Sequence, residues 1–231
     1  MSAQPVAGQA VGRQLHKFGG SSLADVKCYL RVAGIMAEYS FPGDMMVVSA
    51  AGSTTNQLIS WLRLSQTDRI SAHQVQQALR RYQSELITGL LPAELAEPLV
   101  ALFTQDLERL AALLDEPMCD ATYAEVVGHG EIWSARLMSA LLNVKGMESE
   151  WLDARSFLRA ERSAQPQVDE GRSYPLLQQL LAQHPNKRLV ATGFICRNDA
   201  GETVLLGRNG SDYSATQIGS LAGVSRVTIW S

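Results

Sequence analysis

Apolar positions along the chain follow two spacings, and their alternation predicts a layered α/β protein. Gln14 to Phe18 is a short apolar-ended run that reads as a strand. From Ala24 to Tyr39, Val26, Tyr29, Leu30, Val32, Ala33 and Met36 recur at helical spacing. Met45-Met46-Val47-Val48 is continuously apolar, as a parallel strand buried on both faces must be. A helix is expected from near Gln57. Ala72 to Leu114 then carries leucines on one helical face, with Pro92 starting a second helix. Tyr123 to Leu142 is amphipathic, and Gly128-His129-Gly130-Glu131 is expected to interrupt it. Glu148 to Leu152, Arg188 to Thr192, Thr203 to Leu206 and Arg226 to Trp230 read as further strands. Helices are expected over Tyr174 to Gln183 and from Gly207-Asp212 to Leu221, with a hairpin turn at Arg197 to Glu202. Strands alternating with helices predict an α/β sandwich around a mostly parallel sheet. Residues 1–13 are small and polar and read as a flexible tail; 71–115 read as a helical insertion within the domain spanning 14–231.

Composition narrows the class without naming a chemistry. The 231 residues carry a formal charge of −3 with basic residues dispersed, which gives no footprint for nucleic acid. No apolar run is long enough to span a membrane. The three cysteines, Cys28, Cys119 and Cys196, share no metal-like spacing with the four histidines. An odd count with no signal peptide fits a reducing cytoplasm.

Candidate chemistry sits in three strand-to-helix turns: Lys17–Ser22, Ser49–Asn56 and Gly207–Asp212. In a parallel sheet such turns emerge together at the carboxyl ends of the strands, where ligands bind. Gly19-Gly20 lets backbone N–H groups approach an anion, and Ser21-Ser22 stands where a helix N-cap is expected. Lys17 adds a point charge beside that loop; read alone it is equally a surface charge. Neither G-x-x-x-x-G-K-[ST] nor G-x-G-x-x-G occurs in the chain. Arg208 presents a fork for a carboxylate or phosphate, or pairs with a surface acid. Ser211 or Asp212 caps the following helix or serves the site. Glu131, at an expected helix start, either stabilises the helix dipole or receives a ligand ammonium. His129 reads as its hydrogen-bonded neighbour; Trp61, Trp133 and Trp151 read as core.

Four motifs in order carry a resemblance: Lys17-Phe-Gly-Gly-Ser-Ser, Val48-Ser-Ala-Ala with Thr55-Asn56, His129-Gly-Glu131, and Leu206-Gly-Arg-Asn-Gly-Ser-Asp-Tyr-Ser-Ala215. The chain resembles the aspartate kinases over nearly all of its length. Asn209, where single-function enzymes usually have glycine, is similar to the bifunctional aspartokinase/homoserine dehydrogenases, and the intervening sequence is most similar to their methionine-linked type II group. The resemblance implies the amino-acid kinase fold, a three-layer αβα sandwich, and transfer of the ATP γ-phosphoryl group to the β-carboxylate of L-aspartate. That reaction opens the pathway to lysine, threonine and methionine.

By match of motif, Lys17 would neutralise the transferring phosphoryl group and Asp212 would orient Lys17 or the magnesium-bound phosphates. Gly19, Gly20, Ser21, Gly210, Ser211 and Ser231 would hold the nucleotide, with Mg2+ bound through its phosphates. Ser49, Thr55, Glu131 and Arg208 would hold aspartate, Glu131 taking the ammonium. The resemblance also implies a homo-oligomeric parent and a nucleotide-holding segment beyond Ser231, so this chain is expected to be a C-terminally incomplete domain that is weakly active or inactive. Two other readings fit the same residues: a non-catalytic aspartate-binding or assembly module, and a different amino-acid kinase.

Overall fold

The computed structural model describes residues 12–207 and 209–231. Most of the expected tail, and Arg208, lie outside the described residues. Five parallel strands form the central sheet in the order β3-β4-β2-β1-β7. They are β1 (Gln14–Phe18), β2 (Met45–Val48), β3 (Ser149–Leu152), β4 (Arg188–Thr192) and β7 (Arg226–Trp230). Between β4 and β7, β5 (Ile195–Arg197) and β6 (Thr203–Leu205) make the expected antiparallel hairpin. Its turn is closed by Asn198, whose Oδ1 accepts from Glu202 N at 2.8 Å, with Gly201 at φ 81°.

The uniformly apolar strands are apolar because both faces are covered. Met46, Val48, Phe18 and Val190 pack with α1 (Val26–Tyr39), α2 (Thr54–Ser65), α3 (Arg69–Leu90), α4 (Ala93–Leu113) and α5 (Asp120–Val144). Their neighbours Met45, Val47, Leu15, Leu189 and Ala191 pack on the other side with α6 (Glu170–Gln183) and α7 (Gly210–Leu221). The period-2 alternation along each strand thus serves two cores, giving three layers. The pairing Lys17↔Val47↔Ala191 puts Lys17 in the row facing α7. None of the described helices is long and apolar enough to cross a membrane.

Several local expectations change. Helix α1 begins at Val26, and its cap is Asp25, whose Oδ1 accepts from Cys28 N at 2.8 Å. Ser21 and Ser22 instead belong to a 3-10 turn, Gly20–Leu23, tightened by Ser22 N donating to Gly19 O at 3.0 Å. Helix α2 starts three residues earlier than expected, at Thr54, and α3 starts at Arg69 behind the Asp68 cap. Helix α5 runs unbroken for 25 residues through Gly128-His129-Gly130-Glu131.

The two glycines of α5 serve close approach. A Cβ at Gly128 would lie 2.7 Å from Ile195 Cγ2, and one at Gly130 would lie 2.6 Å from Ala50 Cβ and 3.2 Å from Thr54 Cγ2. The helix is therefore pressed onto the hairpin and onto the β2–α2 turn. Gly130→Ala is expected to lower stability by about 1–3 kcal/mol, overpacking outweighing alanine's better helix propensity, as a chemical denaturation midpoint would show.

Candidate functional site

A cavity of about 330 Å³ opens where the β1, β2 and β4 ends meet the start of α7. That is the low end of ligand-pocket size and suits a small polar ligand. Lys17, Gly20, Ser49, Thr55, Glu131, Gly210, Ser211 and Asp212 line it, so eight of the expected site residues come together. Gly19 and Ser21 sit on the adjoining turn without lining it, and Ser21 is exposed. Ser231 is exposed beyond Trp230, which pairs with Phe18, and does not line the cavity. The expected role of Arg208 falls on a residue outside the described ones.

The backbone of the first two turns is locked together. Ser49 N donates to Phe18 O at 3.1 Å, and Gly52 N to Gly20 O at 2.9 Å. A Cβ on Gly20 would meet Ala50 O at 2.8 Å, so only glycine allows this contact. On the third turn Asn209 adopts φ 57° and α7 begins at Gly210. Asp212 is therefore past the cap position, and its carboxylate pairs with the Lys17 ammonium instead. The capping reading of Ser211 and Asp212 is set aside by that geometry: no side chain among the described residues caps this helix.

Glu131 is the buried carboxyl of the site. It reaches the cavity from the middle of α5, so the helix-dipole reading of its role falls with the expected helix start. Its Oε1 accepts from Ala50 N at 3.3 Å, while Oε2 has no partner among the described residues. Burial pushes its carboxyl up to about 8, and the backbone N–H groups of Ala50 and of Glu131 itself oppose this only in part. A buried carboxyl with one unpartnered oxygen facing a polar cavity is poised to receive a cation donor. His129, two residues earlier, takes no part in the cavity: Nδ1 lies 2.7 Å from Glu125 O and Nε2 2.7 Å from Arg109 Nη2. The neutral tautomer satisfies both bonds by donating to the carbonyl and accepting from the guanidinium. Trp61 and Trp133 are core as expected, Trp133 donating to Asp106 at 3.2 Å; Trp151 is half-buried under the Arg136 guanidinium.

Five cavity residues were not among the site residues expected from the sequence: Ala50, Gly52, Phe194, Gly207 and Asn209. Phe194 sits at φ 65°, an unusual conformation for a bulky side chain, held by Ser214 Oγ accepting from its N–H at 2.8 Å. It packs so closely under α7 that a Cβ on Gly210 would lie 2.5 Å from its ring. The Gly193-Phe194 step is a faint sequence signal, since glycine directly after a buried strand marks close approach. Ala50 contributes only a backbone N–H, for which no sequence signal exists.

Comparison with known proteins identifies the family and the fold. Residues 12–231 match the amino acid kinase family. The chain is 82% identical over 222 residues to the bifunctional aspartokinase/homoserine dehydrogenase 2 of Escherichia coli strain K12, covering 96% of this chain and 27% of that protein. It is 31% identical to the lysine-sensitive aspartokinase 3 of the same organism, over 93% of this chain and 47% of that one. The crystal structure of E. coli aspartokinase III in complex with aspartate and ADP superposes with a TM-score of 0.86 at 27% identity, covering 94% of this chain and 48% of that chain. The chain thus spans about a quarter to a half of the length of these relatives. With the family matched from the first strand to the last residue, this chain belongs to the amino acid kinase family.

Proposed function

We propose that this chain carries the substrate-binding part of an aspartate kinase, which phosphorylates the β-carboxylate of L-aspartate from ATP. The observation that supports it best is Glu131, whose Oε2 has no partner among the described residues, in the same cavity as the Lys17–Asp212 pair. A ligand filling this space meets a buried acid and a lysine set for an anion. A small amino acid with a second carboxylate supplies both. The E. coli aspartokinase III structure was solved with aspartate and ADP, which agrees with this choice.

In this reading Glu131 takes the substrate ammonium, and Ala50 N–H fixes the carboxylate that does so. Ser49 and Thr55 supply hydroxyls on the same wall. ATP, with Mg2+ on its phosphate oxygens, supplies the γ-phosphoryl group. Gly20, Gly210 and Ser211 would hold the nucleotide phosphates, the α7 N-terminus giving a positive end. Lys17, held by Asp212, offsets charge on the transferring group. The attacking carboxylate is already ionised at neutral pH, so no general base is needed. Catalysis then rests on alignment and charge compensation. The proposed partners are L-aspartate and ATP, in the cytoplasm, within a homo-oligomeric whole protein.

Succinate, which is aspartate without its ammonium, discriminates the reading. Calorimetric titration is expected to show L-aspartate binding, with succinate at least ~100-fold weaker, because succinate leaves Glu131 without its cation. Equal binding of the two, or no binding of L-aspartate, would overturn it.

A further inference from the structure

We infer that Gln83 of α3 is a positioning residue that fixes the aspartate-side turn of the site, with Tyr82 beside it. The inference rests on the reading that this cavity takes L-aspartate. Neither side chain lines the cavity; both act through the backbone that does.

Gln83 is 2% exposed on a helical face otherwise made of Leu79, Leu86 and Ile87. An amide in such a place needs a polar reason, since leucine would pack there without a desolvation cost. Its Nε2 donates to Thr54 Oγ1 at 3.0 Å, and that hydroxyl donates to Ala51 O at 2.6 Å. The two bonds run in series and polarise one another. They end on the residue after Ala50, whose N–H holds Glu131, and just before Gly52, whose N–H holds Gly20. Thr54 also directly precedes Thr55, which lines the cavity.

Tyr82 supplies the second contact. Its hydroxyl donates to Ala24 O at 2.9 Å, just after the 3-10 turn of the first loop. The same oxygen lies 2.7 Å from where a Gly52 Cβ would stand. One residue thus touches both turns that form the cavity floor, and its neighbour clamps one of them. Without α3 these turns would keep their mutual backbone bonds and the contact of Ala50 with Glu131 of α5, but would lose both side-chain contacts described above. The helical block between β2 and β3 is therefore a brace for the site as well as a packing layer.

The test compares Gln83→Leu, Thr54→Val, the double variant and Tyr82→Phe in this chain. L-Aspartate affinity is measured by calorimetry, and amide hydrogen exchange is followed at Ala50–Thr55 with the β4 amides as reference. Gln83→Leu is expected to weaken L-aspartate about tenfold, the worth of one buried hydrogen bond. The double variant should lose no more than about twofold beyond Thr54→Val, because one chain of bonds is being cut twice. Exchange in the turn should quicken about tenfold while β4 is unchanged, a local opening that a purely structural role would not confine. Tyr82→Phe removes one oxygen and should quicken exchange at Gly52 even if Gln83→Leu does not fold. Unchanged exchange at the turn, or equal quickening throughout β4, would overturn the inference. Quickened exchange in the variants, with no L-aspartate binding by the unsubstituted chain, would instead sink the aspartate reading and leave the brace standing.

Discussion

Glu131→Gln is expected to lose L-aspartate binding by at least ~100-fold and, with the site empty, to gain stability as pH rises. The binding loss follows from removing the acid that meets the ammonium; a charged hydrogen bond in a buried site is worth about 1.5–3 kcal/mol, and leaving the ligand cation unpaired adds to that. The stability gain follows from linkage. In the folded chain the Glu131 carboxyl titrates at about 8, against an ordinary value of 4.5. Between those values the unfolded chain ionises while the folded chain stays protonated, so the folded state binds more protons and wild-type stability falls as pH rises. The contribution is whole below about 4.5 and lost by about 8. Glutamine keeps an acceptor for Ala50 N–H and has no proton to lose. The difference between variant and wild type should therefore grow from pH 5 to pH 8, reaching a few kcal/mol, or several degrees in Tm. Thermal melts at pH 5, 6.5 and 8 check this. A constant difference across that range would place the proton elsewhere.

Gly20→Ala carries the second large effect. The new Cβ would stand 2.8 Å from Ala50 O and 3.1 Å from Gly52 O, both backbone atoms. Neither can retreat freely, since Gly52 N–H is tied to Gly20 O and Ala50 N–H to Glu131. The two turns must part, which is expected to cost about 1–3 kcal/mol of stability and at least tenfold in L-aspartate affinity. Gly34→Ala is the control of opposite sign. Gly34 is mid-helix in α1 with nothing within 4 Å of its added Cβ, so alanine there should stabilise by about 0.5–1 kcal/mol. Denaturant midpoints of the two variants should move in opposite directions. Parallel movement would mean that Gly20 is an ordinary turn glycine.

How much could be read from the chain depended on the range of the interaction involved. Strands β1, β2, β4 and β7 were expected at the residues where they occur, β2 and β4 because a doubly buried strand is largely apolar and their neighbouring turns are marked by Gly and Pro. The convergence of Lys17, Ser49 and Gly210 followed from parallel topology, which brings all such turns to one end. Glu131 was expected at a helix start and stands instead in the middle of α5. Glycines at 128 and 130 read as a break by propensity, whereas tertiary contact with Ile195 and Ala50 keeps the helix whole and demands the missing Cβ. The αL turn at Phe194 and the Gln83–Thr54 bond were not legible. Each is set by atoms 20 or more residues away, and nothing in local pattern distinguishes Gln83 from a surface glutamine.

The central claim is that an empty, protonated Glu131 becomes an ionised partner for the substrate ammonium. Its most direct measurement is calorimetry of L-aspartate binding at pH 7 in two buffers of different ionisation enthalpy, which counts protons exchanged with solvent. With the carboxyl at about 8 when empty, close to one proton should be released per L-aspartate bound, and none in Glu131→Gln at whatever binding remains. Binding of L-aspartate to the unsubstituted chain with no proton release would contradict the account.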